Sequence, residues 1–350
     1  MPRILVNGVH LHYQQVGDAA GDREHLVMLH GLASNLAFWY FQYAHVFADR
    51  FRVTLLDLRG HGGSDMPPSG YSPAEHAMDV GELLDHLRIE QAHFIAHSFG
   101  GLVTLHHARR RPGAVRSLVL VDSHLPDLCV GEPGESWSHG QSIRSVLERN
   151  GIELDPDDPH FGLRLLGVMA GLRMSEQPIS EELLRLFGPV MDKFGRHTAA
   201  QWLKLLGTTT AETDSMGNGA LGQDELREFD FPIIAIYGEG SHARRTGDEL
   251  RELWPEAEFR LVRGAGHFFP VARAQELIAQ CNRFWDHCGK GGHRVRRPND
   301  TRAYFQSDRF YMVEGAWYCA LRGRQPLGPF ESEEEAARQL AAALAVSSTA

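Results

Sequence analysis

The sequence predicts an α/β fold: a mostly parallel sheet flanked by helices, a helical cap inserted after the sixth strand, and a small α+β module at the C-terminal end. Three observations carry this expectation. Short apolar runs of strand length alternate with helical patterns over residues 9–121 and again over 232–287, which is the order that builds a parallel sheet. The runs are apolar almost without interruption, as strands covered on both faces are. Residues 124–228 break the rhythm with helical segments and no convincing strand.

Val9–Val16 alternates polar and apolar residues, as a half-exposed strand does. His25–Leu29, Phe51–Leu56, Ala92–Ala96, Val115–Val121, Pro232–Tyr237 and Glu258–Val262 read as buried strands. Between them, Leu36–Phe47, Pro73–Leu87, Gly101–Arg111, Arg245–Leu253 and Ala272–His287 carry helical periodicity. Within the cap, helices are expected at Ser142–Asn150, Phe161–Leu172, Glu181–Phe194 and Ala199–Leu206. The core and its cap thus occupy about 1–288 and a glycine-rich linker, opened by Gly289-Lys290-Gly291-Gly292, about 289–300. In the remaining segment, 301–350, Phe310–Val313 and Ala316–Leu321 flank Glu314-Gly315 as a hairpin would, and Ser332-Glu333-Glu334-Glu335 opens a helix to about Val346.

Bulk properties remove several function classes. The 350 residues are 43% hydrophobic and 23% charged, enough to bury a substantial core. The formal charge of −10 argues against nucleic acid as the main ligand. It is uneven: residues 290–350 hold nine Lys/Arg against seven Asp/Glu, leaving 26 against 38 before them. Neither a signal peptide nor an apolar stretch of about 18 residues is present, and the four cysteines form no paired framework, so a cytoplasmic protein without a membrane span is expected. Twenty histidines invite a metal reading, but none cluster at zinc-site spacing.

The most informative stretch is Ala92-His93-Phe94-Ile95-Ala96-His97-Ser98-Phe99-Gly100-Gly101, followed by an apolar helix. A strand that turns sharply into a helix exposes the residue at the turn, and only small neighbours two positions away fit. Ala96 and Gly100 meet that need around Ser98. By itself the pattern is equally compatible with an ordinary turn. Three further segments recur after buried strands: Leu29-His30-Gly31-Leu32, Asp57-Leu58-Arg59-Gly60-His61-Gly62-Gly63-Ser64-Asp65, and Gly264-Ala265-Gly266-His267-Phe268-Phe269-Pro270.

With these four motifs in this order, residues 3–287 resemble the α/β-hydrolase family. The resemblance implies that Ser98 is a nucleophile, that His267 takes its proton, and that the backbone N–H groups of Leu32 and Phe99 form an oxyanion hole. It implies no cofactor and no metal. The sequence departs from the family at the third catalytic position. The usual acid follows the seventh strand in a Gly-x-x-Asp turn, and here that turn reads Gly238-Glu239-Gly240-Ser241. Asp122, at the end of the sixth strand, is the favoured replacement. Glu239, or a weakened dyad or another acid, are the alternatives. Phe38, Trp39, Phe268 and Phe269 either line an acyl pocket or pack the cap onto the core.

The expected activity is hydrolysis of a carboxylic ester or related small-molecule acyl compound through an acyl-enzyme. Carbon–carbon bond hydrolysis or thioester release on the same triad is the alternative within enzymes, and a non-catalytic ligand-binding protein is the alternative outside them. Epoxide hydrolase and haloalkane dehalogenase chemistry is disfavoured, since those relatives carry aspartate at the nucleophile position. The C-terminal segment, with its aromatic and basic residues, resembles a small bacterial domain of unknown role, which implies no activity.

Overall fold

In the computed structural model the chain forms two compact units, Met1–Val295 and Arg296–Ala350. The structure describes residues 2–17, 23–129, 138–155, 158, 160–175, 179–184, 195–217 and 221–289, then 310–313, 316–319, 327–330, 335 and 338–339. The core of the first unit is one eight-stranded sheet in the order β1-β2-β4-β3-β5-β6-β7-β8. These strands are β1 Arg3–Val6, β2 Val9–Val16, β3 His25–Leu29, β4 Arg52–Leu56, β5 Ala92–His97, β6 Val115–Val121, β7 Ile233–Gly238 and β8 Glu258–Val262. The pairs from β4 through β8 are parallel, while β1 and β2 run antiparallel at one edge.

Strand β1 is absent from the sequence expectation. It pairs with β2 through a two-residue turn in which Asn7 (φ 45°) and Gly8 (φ 76°) are both left-handed, as a twist-matched hairpin requires. Its outward residues Arg3 and Leu5 are exposed, so only four residues with two buried side chains mark it.

Side chains alternate across the sheet and both faces are covered. Val27, Leu29, Phe94, Leu118 and Leu120 pack with the Pro73–His86 and Phe99–Arg110 helices. Leu26, Met28, Ile95, Val119 and Ile234 face the other way, against Trp39, Tyr43, Phe47, Phe284 and Trp285. Each such side chain, fully buried, contributes about 1.5–3 kcal/mol. The Pro73–His86 helix begins with a complete capping box between Ser72 and Glu75 and proline in its first turn. The helix at 37–47 contains a wide turn, Tyr40–Ala44. The expected Ala272–His287 helix is instead a short turn, Phe269–Ala272, followed by Ala274–Gly289.

Between β6 and β7 the described residues are helical: Ser138–Arg149, Phe161–Met174, Arg196–Thr208, Ala211–Met216 and Gln223–Arg227, with one 3-10 turn at Pro126–Cys129. The last two were not expected, being six and five residues long and too short to show periodicity. Most of the expected Glu181–Phe194 helix lies outside the described residues, as do the linker and most of the Ser332–Val346 helix. In the second unit β9 Phe310–Val313, β10 Ala316–Cys319 and β11 Leu327–Phe330 form an antiparallel sheet in the order β11-β10-β9. The third strand carries Gly328 and Pro329, which read as a turn; its edge position tolerates proline. No helix among the described residues is long and apolar enough to cross a membrane.

Candidate active site

Parallel strands deliver their C-terminal ends to one edge of the sheet, and five neighbouring strands, β3, β5, β6, β7 and β8, are followed by the residues singled out above. Register aligns them: His97 on β5 pairs with Val121 on β6, so the next residues, Ser98 and Asp122, emerge side by side. Backbone bonds lock this edge, Ser98 N–H to Val121 O at 2.9 Å and Asp122 N–H to Ile236 O at 2.8 Å.

Ser98 itself has φ 54° and ψ −122°, a strained backbone that only a tight strand-to-helix turn imposes. Its neighbours show why the position needs small residues. A Cβ on Gly100 would lie 2.7 Å from the His30 carbonyl oxygen, and one on Gly31 would lie 2.9 Å from the Ser98 Cβ. The loop carrying Leu32 and the turn carrying Ser98 therefore press against each other. Phe99 is the first residue of its helix, where leading N–H groups have no intrahelical acceptor. Leu32 and Phe99 line the same cavity as Ser98 and His267.

Two buried histidines and an aspartate hold the Leu32 loop. His61 accepts the N–H of Ala33 at 3.2 Å, His30 accepts that of Leu58 at 3.1 Å, and Asp57 accepts that of Leu36 at 2.6 Å. Acting as acceptors suits neutral imidazoles. Burial holds His30 below the usual histidine range and pushes His61 down to about 3.

His267 Nε2 lies 3.1 Å from Ser98 Oγ. On the far side of the ring, Nδ1 is buried, has no hydrogen-bond partner among the described residues, and faces Asp122 Oδ1 at 3.6 Å. Asp122 is fully buried, with φ 47°. Its carboxylate accepts the hydroxyl of Ser241 on Oδ1 at 2.6 Å and the N–H of Gly238 on Oδ2 at 3.1 Å. Ser241, the residue at the family's usual acid position, is buried against this carboxylate. Glu239 turns elsewhere, accepting the N–H of Gly264 at 2.8 Å. The structure thus brings Ser98, His267 and Asp122 together, and leaves Glu239 out.

Two other histidines flank the imidazole, His97 and His242, with ring centroids 4.8 and 4.7 Å from that of His267. Burial, and then the neighbouring His267, hold both well below the usual histidine range, so they stay neutral beside it. His97 also donates from Nε2 to the carbonyl oxygen of His267 at 3.0 Å. The sequence places neither beside His267, because position in or next to a motif carries no signal of which way a side chain points.

A cavity of about 590 Å³ opens over Ser98 and His267. Phe268 and Phe269 line it; Phe38 and Trp39 do not, and pack instead. Phe38 stacks on His97 at 4.7 Å, and Trp39 donates its indole N–H to Leu29 O at 2.9 Å. Among the described residues no group of three or more potential ligands is placed to hold a metal ion.

A model of the alpha/beta hydrolase fold family matches residues 24–145, and one of a domain of unknown function, DUF6316, matches residues 296–348. The chain is 29% identical to the soluble epoxide hydrolase of Corynebacterium sp. strain C12, over 80% of this chain and 95% of that protein. Matches to several other curated relatives span only 32% to 41% of their length. Among solved structures, it is similar to Est816, an N-acyl homoserine lactone degrading enzyme, at 25% identity and a TM-score of 0.59, covering 81% of this chain and all of that one. It also superposes on the enol-lactonase from Burkholderia xenovorans LB400 with a TM-score of 0.58 and 24% identity, over 81% of this chain and all of that one.

Proposed function

We propose that this chain, which has the α/β-hydrolase fold, is a serine hydrolase cleaving a carboxylic ester or related acyl compound through an acyl-enzyme. The observation that carries this reading is the line from Ser98 Oγ to His267 Nε2, 3.1 Å, and from His267 Nδ1 to Asp122 Oδ1, 3.6 Å. The first distance is within proton-transfer reach, and the second tightens when the ring becomes positive.

In this mechanism Ser98 Oγ forms a bond to the substrate carbonyl carbon while its proton passes to His267 Nε2. The carbonyl oxygen gains the electron pair, and the N–H groups of Leu32 and Phe99 stabilise it; each such donor is worth about 3 kcal/mol. As the oxyanion collapses, the carbon–oxygen bond to the leaving alcohol breaks and that oxygen takes the proton from Nε2. Water then adds to the acyl-enzyme with Nε2 as base, and the second collapse releases the acid and restores the Ser98 hydroxyl. Asp122 keeps the Nδ1 proton in place and balances the imidazolium charge.

Likeness to an epoxide hydrolase does not extend to its chemistry. Opening an epoxide through a covalent intermediate needs a carboxylate nucleophile, whose ester is later hydrolysed at its own carbonyl. A serine in that role would be left as an ether, which water does not cleave. The lactone-degrading neighbours are in better accord, because a lactone is an ester.

Labelling with a fluorophosphonate tests the reading. The native chain should become labelled at Ser98, and Ser98→Ala should lose both labelling and ester turnover, the latter by several orders of magnitude, with unchanged circular dichroism. A well-folded Ser98→Ala protein that keeps most of its activity defeats the proposal. An unlabelled native chain would point to a ligand-binding protein instead.

A further inference from the structure

From the walls of the cavity we infer that the acyl group this enzyme accepts is uncharged, apolar and longer than acetyl, about six to ten carbons, since at about 30 Å³ per carbon the cavity holds about twenty and the leaving group takes about half of them. The inference rests on the serine-hydrolase reading and concerns what Ser98 is acylated with.

The argument begins with the lining. Ile143, Leu163, Leu166 and Met169 from the cap line the cavity together with Leu102 and Phe268 from the core. Setting the imidazoles aside, the only charged side chain among the described lining residues is Arg273. That side chain is 46% exposed and its guanidinium lies 3.6 Å from Glu276, which marks the rim and an occupied partner. A carboxylate or phosphate carried into the cavity would therefore meet no lysine, and no arginine inside the rim, among the described lining residues, and burying an unpaired charge is costly. His242, on the wall next to His267, does not supply one, because burial and the neighbouring imidazoles keep it neutral.

Size sets the other bound. The cavity measures about 590 Å³, whereas a two-carbon acyl group fills the space of about two waters, each about 30 Å³ in the liquid. Acetyl would leave water standing against leucine and methionine. A longer chain displaces that water and buries apolar surface on both sides, which favours binding and acylation together.

The test uses the full-length protein and p-nitrophenyl esters from acetate to decanoate, together with mono-p-nitrophenyl esters of dicarboxylic acids of matching length. Expected is a rise in kcat/KM of about fourfold per methylene, equivalent to about 0.8 kcal/mol each, reaching its maximum at about six to ten carbons. The ω-carboxylate esters should be at least about a hundredfold slower than apolar esters of equal length. Leu166→Trp, which fills part of the cavity, should move the maximum about two carbons shorter while a small fluorophosphonate still labels Ser98. Labelling rates with alkyl fluorophosphonates of graded length give the same series independently of turnover.

Preference for acetate, or equal rates for charged and apolar esters, overturns the inference while Ser98 labelling keeps the serine-hydrolase reading standing. Absence of labelling by every probe overturns that reading, and the inference with it.

Discussion

Replacing Asp122 by asparagine isolates the charge from the shape at the proposed acid position, where this chain departs from the pattern of the family it resembles. Asp122 has φ 47°, a conformation asparagine tolerates as well as aspartate, so the backbone has no reason to move. Two donors converge on the carboxylate, Ser241 Oγ at 2.6 Å and Gly238 N–H at 3.1 Å. The amide keeps one acceptor oxygen in place of two, and its NH2 group then confronts a donor or turns Nδ1 of His267 into an acceptor, the wrong tautomer. At the observed 3.6 Å between Nδ1 and Oδ1, unit charges at an effective dielectric constant of about 20 attract by about 5 kcal/mol, or about 10³ in rate. Because the two donors already share the carboxylate charge, the expected loss is about 10² to 10³ in kcat, with KM within a few-fold. Glu239→Gln should cost only a few-fold, since that carboxylate serves Gly264. Ser241→Asp introduced into Asp122→Asn should recover at least about tenfold, because residue 241 already touches the site of the lost oxygen. In the otherwise native chain the same Ser241→Asp change sets two carboxylates in contact, one of which must hold a proton, so activity should fall. Steady-state turnover of an ester by the four variants, with circular dichroism for the fold, decides the matter. A crippled Glu239→Gln beside a nearly normal Asp122→Asn would refute the assignment, and Ser241→Asp without rescue would refute the geometry behind it.

Two further outcomes follow from the same structure. Burial above all holds His30, His76, His97 and His242 below the ordinary histidine range and pushes His107 and His61 down to about 4 and about 3. Between those values and about 6.5 the unfolded chain binds protons that the folded chain refuses, so stability is complete above about pH 6.5 and is lost as pH falls. Each fully shifted histidine removes about 1.4 kcal/mol per unit below that point, and six together approach the whole stability of a domain within about one unit. The urea midpoint should therefore drop steeply between about pH 7 and 5.5, and a flat profile would show that these imidazoles are not held neutral. Truncation gives the second outcome: with the last helix of the first unit ending at Gly289 and Phe284 and Trp285 buried in its core, a chain stopped there should unfold cooperatively and still label at Ser98. Aggregation of that product would show that the hydrolase unit needs residues beyond it.

The fold was legible where two faces of burial wrote themselves into the sequence. Strands β3 to β7 are apolar runs because both sides of the sheet are covered, and each was readable, as was the partly buried edge strand β8 with its Glu258 and Arg260. Strand β1 was missed although its signal was present: Asn7-Gly8 is the dipeptide that a two-residue hairpin demands, and it precedes the alternating Val9–Val16 run. The short helices at Ala211–Met216 and Gln223–Arg227 had no such signal, since six or five residues complete too few turns to establish a period. Strand β11 was hidden because Gly328 and Pro329 argue for a turn unless the strand is known to lie at an edge.

The site was legible to a different degree, because chemistry constrains points in space and not positions in the chain. Ser98 and His267, the proposed nucleophile and base, are announced by their loops: the strained turn at Ser98 needs Gly100 beside it, and the loop opposite needs Gly31, so sterics leave a mark in the sequence. The acid needs only to place a carboxylate oxygen opposite Nδ1. Strands β6 and β7 are neighbours, and the side chains that follow them, Asp122 and Ser241, meet at 2.6 Å. Either strand end can therefore supply the oxygen, and a change from one to the other leaves the surrounding geometry intact. That is why the missing aspartate in Gly238-Glu239-Gly240-Ser241 raised three alternatives from sequence and left one arrangement in space. The serine left at the usual position is buried and donates its hydroxyl to the carboxylate at its neighbour's position, so the hydrogen-bond requirement of a buried charge is met from the strand end that no longer carries one.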